Sequence, residues 1–98
     1  VIEDYVGHGI GSAMHMEPPV PNYGPPGKGP LLQVGMALAI EPMVTVGTID
    51  TRTLEDDWTV VTKDRSLSAQ WEHMVAVTAD GYDVLTRWPG GTGSYAPI

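Results

Sequence analysis

Apolar residues in this chain come in short runs instead of recurring at helical spacing: ALAIEPMV over residues 37–44, WTVVT over 58–62, WEHMVAVT over 71–78 and VLT over 84–86. The runs are rich in valine and threonine, and they predict strands. Turn chemistry bounds each one. Val34-Gly35 precede the first, the acidic Glu55, Asp56 and Asp57 precede the second, and Asp80-Gly81 separate the last two, which predict a hairpin. Proline and glycine interrupt the first thirty residues and leave no helical period there. Residues 18–30, PPVPNYGPPGKGP, carry too many imino acids to ladder into a sheet and predict an ordered surface loop or linker. Residues 88–98, WPGGTGSYAPI, have the composition of a disordered end. There is no internal repeat.

Composition narrows the chemistry. Ninety-eight residues suffice for one small domain with a thin core, since a chain of this size buries only about 60–65% of its unfolded surface. No stretch reaches the roughly 18 consecutive apolar residues of a membrane span, and the start VIEDYVGHG has no basic segment followed by an apolar run. Five Lys and Arg against twelve Asp and Glu leave a net charge of −7, which argues against a phosphate-backbone partner. There is no cysteine, so a bound metal has to use histidine and carboxylate ligands, and a cytoplasmic, soluble chain is expected. No initiating methionine is present and the chain runs at once into a candidate site, so a fragment or one half of a larger domain is expected.

That candidate site is GHGIGSAMHMEP, residues 7–18. Glycines on both sides of His8 remove side-chain bulk and open the ring to a ligand, although GHG alone is a weak motif that reads more readily as a tight turn. Glu41 in LAIEPMV and Glu72 in QWEHMVAV lie within runs that otherwise look buried. An unpaired buried carboxylate costs several kcal/mol, so each needs a cation or donors close by. Arg65 can serve either glutamate as an ion-pair partner, but for both together with His8 a metal ion is the more economical answer. One imidazole and two carboxylates suit divalent Mn, Fe, Co or Zn. With both carboxylates bidentate these side chains supply at most five donor atoms, and a two-metal hydrolytic centre needs more. His15 is open to several roles: a further ligand, a donor to a bound carbonyl, or a loop residue. Met14, Met43 and Trp58 are able to wall an apolar pocket beside these groups, or to be plain core.

GHGIG, His15, Glu17-Pro18, VGM, IEPMV, WTVVTKDRSLSAQWEH and VT, in this order over roughly residues 5–86, resemble the type I methionine aminopeptidases. IEPMV and TKDRSLSAQ(aromatic)EH set the chain apart from the type II enzymes, prolidases and aminopeptidase P. The resemblance implies an α+β, pita-bread (creatinase/aminopeptidase) fold, of which residues 1–88 are the C-terminal half, mostly antiparallel β, with 89–98 a flexible tail. It implies two divalent metal ions (Co, Mn, Fe or Zn) held by His8, Glu41 and a bridging Glu72. Two aspartates, and another catalytic histidine, would come from a missing N-terminal half. His15 is implied as the histidine that hydrogen-bonds the substrate amide, Glu41 also as a proton shuttle, and Trp58 and Met14 as walls of the methionine pocket. At Met14 many members carry phenylalanine. The implied activity is removal of the N-terminal methionine from nascent chains with a small second residue, with this piece inactive alone. The alternative is a non-catalytic peptide-binding module of the same fold. No nucleic-acid or membrane contact is expected.

Overall fold

The computed structural model describes residues 1–87. Among them are nine strands: β1 Gly7–Ile10, β2 Met16–Val20, β3 Ala37–Ile40, β4 Met43–Thr45, β5 Thr51–Thr53, β6 Val60–Thr62, β7 Ser68–Gln70, β8 His73–Thr78 and β9 Gly81–Val84. No helix occurs among the described residues, and every strand pairing is antiparallel. The order in the main sheet is β2-β1-β3-β8-β9, and β4-β7 and β5-β6 form two-stranded ribbons. The tail expected from 89 onward lies outside the described residues.

The two long runs of the sequence prove to be interrupted, each at its glutamate. Residues 37–44 divide into β3 and β4 around Glu41-Pro42, and the run from Trp71 begins its strand only at His73. Pro42 has no N–H to give a ladder and restricts the residue before it. The register nevertheless carries straight across: Ile40 pairs with His73 and Met43 with Gln70, which sets Glu41 opposite Glu72. One hydrogen bond spans the gap, from Trp71 N–H to the Pro42 carbonyl at 3.2 Å.

Alternation then sorts this ribbon into two faces. Leu38 pairs with Val75 and Val75 with Val84, so these three project together. They form the buried cluster, with Val20 and Val77 packed against it. Burying such a side chain is worth about 1.5–3 kcal/mol, and so small a core has little surplus over the entropy of ordering the chain. The other face carries Ala37, Ala39, Glu41 and Met43 from one strand line, with Gln70, Glu72, Met74 and Ala76 from its partner. The Leu38, Val75 and Val84 cluster and the two glutamates thus lie on opposite sides of the same strands, although Ala39, on the glutamate side, is buried as well.

Several expectations need correction. Pro18 and Pro19 do lie in a strand, β2, which is tolerated because β2 is at the sheet edge, where a missing N–H interrupts no second ladder. The glycines around His8 serve backbone contact: a Cβ on Gly7 would strike the Ala39 carbonyl oxygen, and one on Gly9 the Glu17 carbonyl oxygen. The strand expected from Trp58 begins at Val60. The hairpin over Asp80-Gly81 is present, but its second strand is Gly81–Val84, beginning closer to the turn than VLT suggested.

One turn carries a pH signature. Asp64 takes the Thr48 N–H at 3.0 Å on one oxygen and the Ser66 N–H at 3.0 Å on the other. The Thr48 amide, followed by the Ser66 hydroxyl and amide, holds the Asp64 carboxyl down at about 2. A carboxyl depressed in the folded state stabilises above its unfolded value of 3.8, and that contribution fades as pH falls towards 2. Carboxylate titration by NMR should therefore find the Asp64 midpoint near 2. In Asp64→Asn the part of acid destabilisation that falls between these two values should disappear.

Candidate metal centre

His8 pairs with Ala39 across β1 and β3, and Ala39 pairs with Met74 across β3 and β8. Residues paired directly across antiparallel strands project to the same face, and so do residues two apart on one strand. Glu41 is two beyond Ala39 and Glu72 two before Met74, so the imidazole and both carboxylates converge on one side. One ligand atom from each of His8, Glu41 and Glu72 lies within 4.8 Å of the others.

The details suit a cation. His8 Nε2 is 3.0 Å from Glu41 Oε1, and both side chains are mostly buried, with 14% and 15% exposed. His8 Nδ1 donates to the Gly9 carbonyl at 2.9 Å, which holds the ring so that Nε2 is the nitrogen turned to the carboxylates. A ring held from behind by a backbone carbonyl is the usual arrangement of a ligating histidine. Glu72 is exposed, at the edge of the group. Two like charges directly across a strand pair repel. Arg65 does not relieve this: it sits in a turn at φ 63°, lining a separate cleft, and among the described residues it pairs with neither glutamate. One imidazole nitrogen and two carboxylates form a donor set that fits a divalent Mn, Fe, Co or Zn ion.

His15 approaches from the bend between β1 and β2, its ring centroid 4.4 Å from that of His8 and tilted by 59°. With Glu41 and Trp58 it lines a cleft of about 780 Å³ whose walls also include Ile2, Tyr5 and Met43. Trp58 is 86% exposed, standing on the cleft wall instead of in the core. Its turn is fastened by Asp56, which accepts from the Trp58 N–H at 3.1 Å and from the Thr59 N–H at 2.8 Å. The Thr59 hydroxyl, then these amides, lowers the Asp56 carboxyl below the ordinary carboxylate range. Met14 is 69% exposed and is not among the residues lining this cleft.

Sequence reading passed over Gln70, whose side-chain amide donates to Glu41 Oε2 at 3.3 Å. A signal was available: Gln70 is two residues before Glu72 in an extended run and therefore shares its face.

Comparison with known proteins extends these observations. A profile described as metallopeptidase family M24 matches residues 1–79. Methionine aminopeptidase 1 of Bacillus subtilis (strain 168) is 54% identical over 87 residues, covering 89% of this chain and 35% of the relative. The methionine aminopeptidase of Clostridium acetobutylicum is 59% identical over 86 residues, covering 88% of this chain and 34% of its own length. Among solved structures, methionine aminopeptidase from Thermotoga maritima superposes with a TM-score of 0.83 at 49% identity, over 89% of this chain and 35% of that one. The Rickettsia prowazekii methionine aminopeptidase gives 0.81 at 48% identity, over 87% and 35%. The chain therefore spans about a third of the length of the curated relatives it matches.

Proposed function

The chain belongs to metallopeptidase family M24, and from that premise we propose that residues 1–88 are the C-terminal half of a methionyl aminopeptidase catalytic domain. Its strands are the antiparallel part of the pita-bread fold. In this reading the protein removes methionine from the N-termini of nascent cytoplasmic chains whose second residue is small. Two aspartates and a further histidine belong to the complementary half.

His8, Glu41 and Glu72 would hold two divalent ions (Co, Mn, Fe or Zn) together with those aspartates. Bound ions supply Lewis-acid strength and lower the pKa of the water they hold. The chain's own residues do the rest. Glu41 moves a proton at its carboxylate towards the departing amine. His15, in ring contact with His8, donates to the scissile carbonyl oxygen, where negative charge develops. Trp58, seated on the Asp56 turn, walls the methionine side chain, whereas Met14, implied for the same wall by the resemblance, stands exposed outside this cleft and is given no part in it.

The observation that carries this reading is the direct opposition of Glu41 and Glu72 beneath His8, which a cation explains and a peptide-gripping module does not need. A Met-Ala-Ser peptide separates the two classes. The intact protein with Co²⁺ or Mn²⁺ should release methionine, a chelator should stop it, and residues 1–98 alone should be inactive. Peptide binding without release of methionine would support the non-catalytic module instead, and chelator-resistant hydrolysis would sink the metal reading.

A further inference from the structure

We propose that Gln70 is a positioning residue for Glu41, its amide fixing one carboxylate oxygen so that the other stays turned to His8 and the metal position. The inference rests on the metal centre described above. Gln70 Nε2 donates to Glu41 Oε2 at 3.3 Å, while Glu41 Oε1 lies 3.0 Å from His8 Nε2. The two oxygens of one carboxylate thus have separate partners.

The placement is built into the sheet. Gln70 pairs with Met43 across β4 and β7, on the register that also sets Glu41 opposite Glu72, so its side chain leaves from the metal-facing side. A glutamate tethered at one oxygen has already lost part of the rotamer freedom that ligand binding would otherwise have to remove. Glutamine suits the task by its charge. Lysine or arginine at this distance would neutralise the carboxylate and compete with a cation, whereas an amide N–H orients it and leaves its negative charge intact. Gln70 also lines the cleft with His15 and Glu41, so the tether stands between ligand space and metal ligand.

The test uses Gln70→Met, which keeps the length and bulk but deletes the donor, and Gln70→Ala, which deletes both. Mn²⁺ affinity of the intact protein is measured by calorimetry, with the metal-free melting temperature in parallel and Glu41→Gln as the reference. Both Gln70 variants should bind Mn²⁺ about tenfold more weakly, at the lower end of what loss of an outer hydrogen-bond partner costs. The metal-free melting temperature should not move. Wild-type affinity in Gln70→Met would overturn the proposal, as would a weakening in Gln70→Ala alone, which would trace to bulk and not to the hydrogen bond. If Gln70→Met binds normally while Glu41→Gln does not, only the role of Gln70 is lost. If Glu41→Gln also binds normally, the metal centre itself is refuted.

Discussion

Replacing Glu72 by glutamine in the intact protein is expected to change stability in opposite directions with and without metal. In the metal-free state Glu72 stands across from Glu41, and both ligand groups lie within the 4.8 Å cluster with His8. Opposed like charges on a strand pair are unfavourable by roughly 0.2–1 kcal/mol, and the exposure of Glu72 keeps the effect at the lower end. Glu72→Gln removes that repulsion, so the chelated variant should melt slightly higher than the wild type. With metal present the sign reverses. A ligand at a hundred times its dissociation constant adds about 2.7 kcal/mol to the folded state, and a neutral amide in place of a carboxylate proposed to ligate the metal should lose most of that. Under the proposed function, methionine release should fall steeply as well. Paired thermal melts, one in chelator and one in excess Mn²⁺, read both signs in a single experiment. A destabilised metal-free variant would show that Glu72 holds the sheet together by a contact other than metal binding.

The second large effect is expected at Gly9. A Cβ there meets the carbonyl oxygen of Glu17 in the paired strand β2, and neither backbone can retreat without breaking the β1-β2 pairing. Overpacking costs typically about 1–3 kcal/mol, and a backbone obstacle belongs at the upper end. In a chain whose buried aliphatic cluster is Leu38, Val75 and Val84, Gly9→Ala should abolish a cooperative transition or lower its midpoint by many degrees. Gly11→Ala is the control. Its Cβ would meet only the Met16 thioether, at 3.3 Å, and a flexible side chain can yield. Urea melts of the two variants should differ sharply. Similar midpoints would mean that the glycines around His8 are there for reasons other than strand packing.

What could be read from the sequence follows from which physical signals are local. Valine- and threonine-rich runs announce strands, and they located β3, β6 and β8 to within a few residues. The break at Glu41-Pro42 was legible in principle, because a proline in a central run argues against an uninterrupted ladder, yet the apolar residues on both sides hid it. β1 and β2 escaped notice because their sequences, GHGI and MEPPV, are poor strand formers. They are strands because their neighbours offer pairing partners, and that information lies elsewhere in the chain.

The candidate centre was more legible than the fold around it. A carboxylate in an apolar run is unusual, so Glu41 and Glu72 stood out before any strand was placed; the expected burial holds for Glu41 and fails for Glu72, which is exposed because the strand after it begins only at His73. His15 could be named but not assigned, because a bend residue has no periodicity to aim it. Gln70 was missed since nothing about a polar residue in SAQ is unusual until the register sets it beside Glu41. A second constraint on the glycines was illegible for a similar reason: it comes from the carbonyls of Ala39 and Glu17, on other strands.

The central claim is that His8, Glu41 and Glu72 together hold metal. Anomalous X-ray diffraction at the manganese edge, from crystals of the intact protein grown with Mn²⁺, addresses it directly. The expected result is a peak within direct coordination distance of His8 Nε2 and of carboxylate oxygens of Glu41 and Glu72. Manganese bound elsewhere while these three side chains keep their metal-free contacts would contradict it.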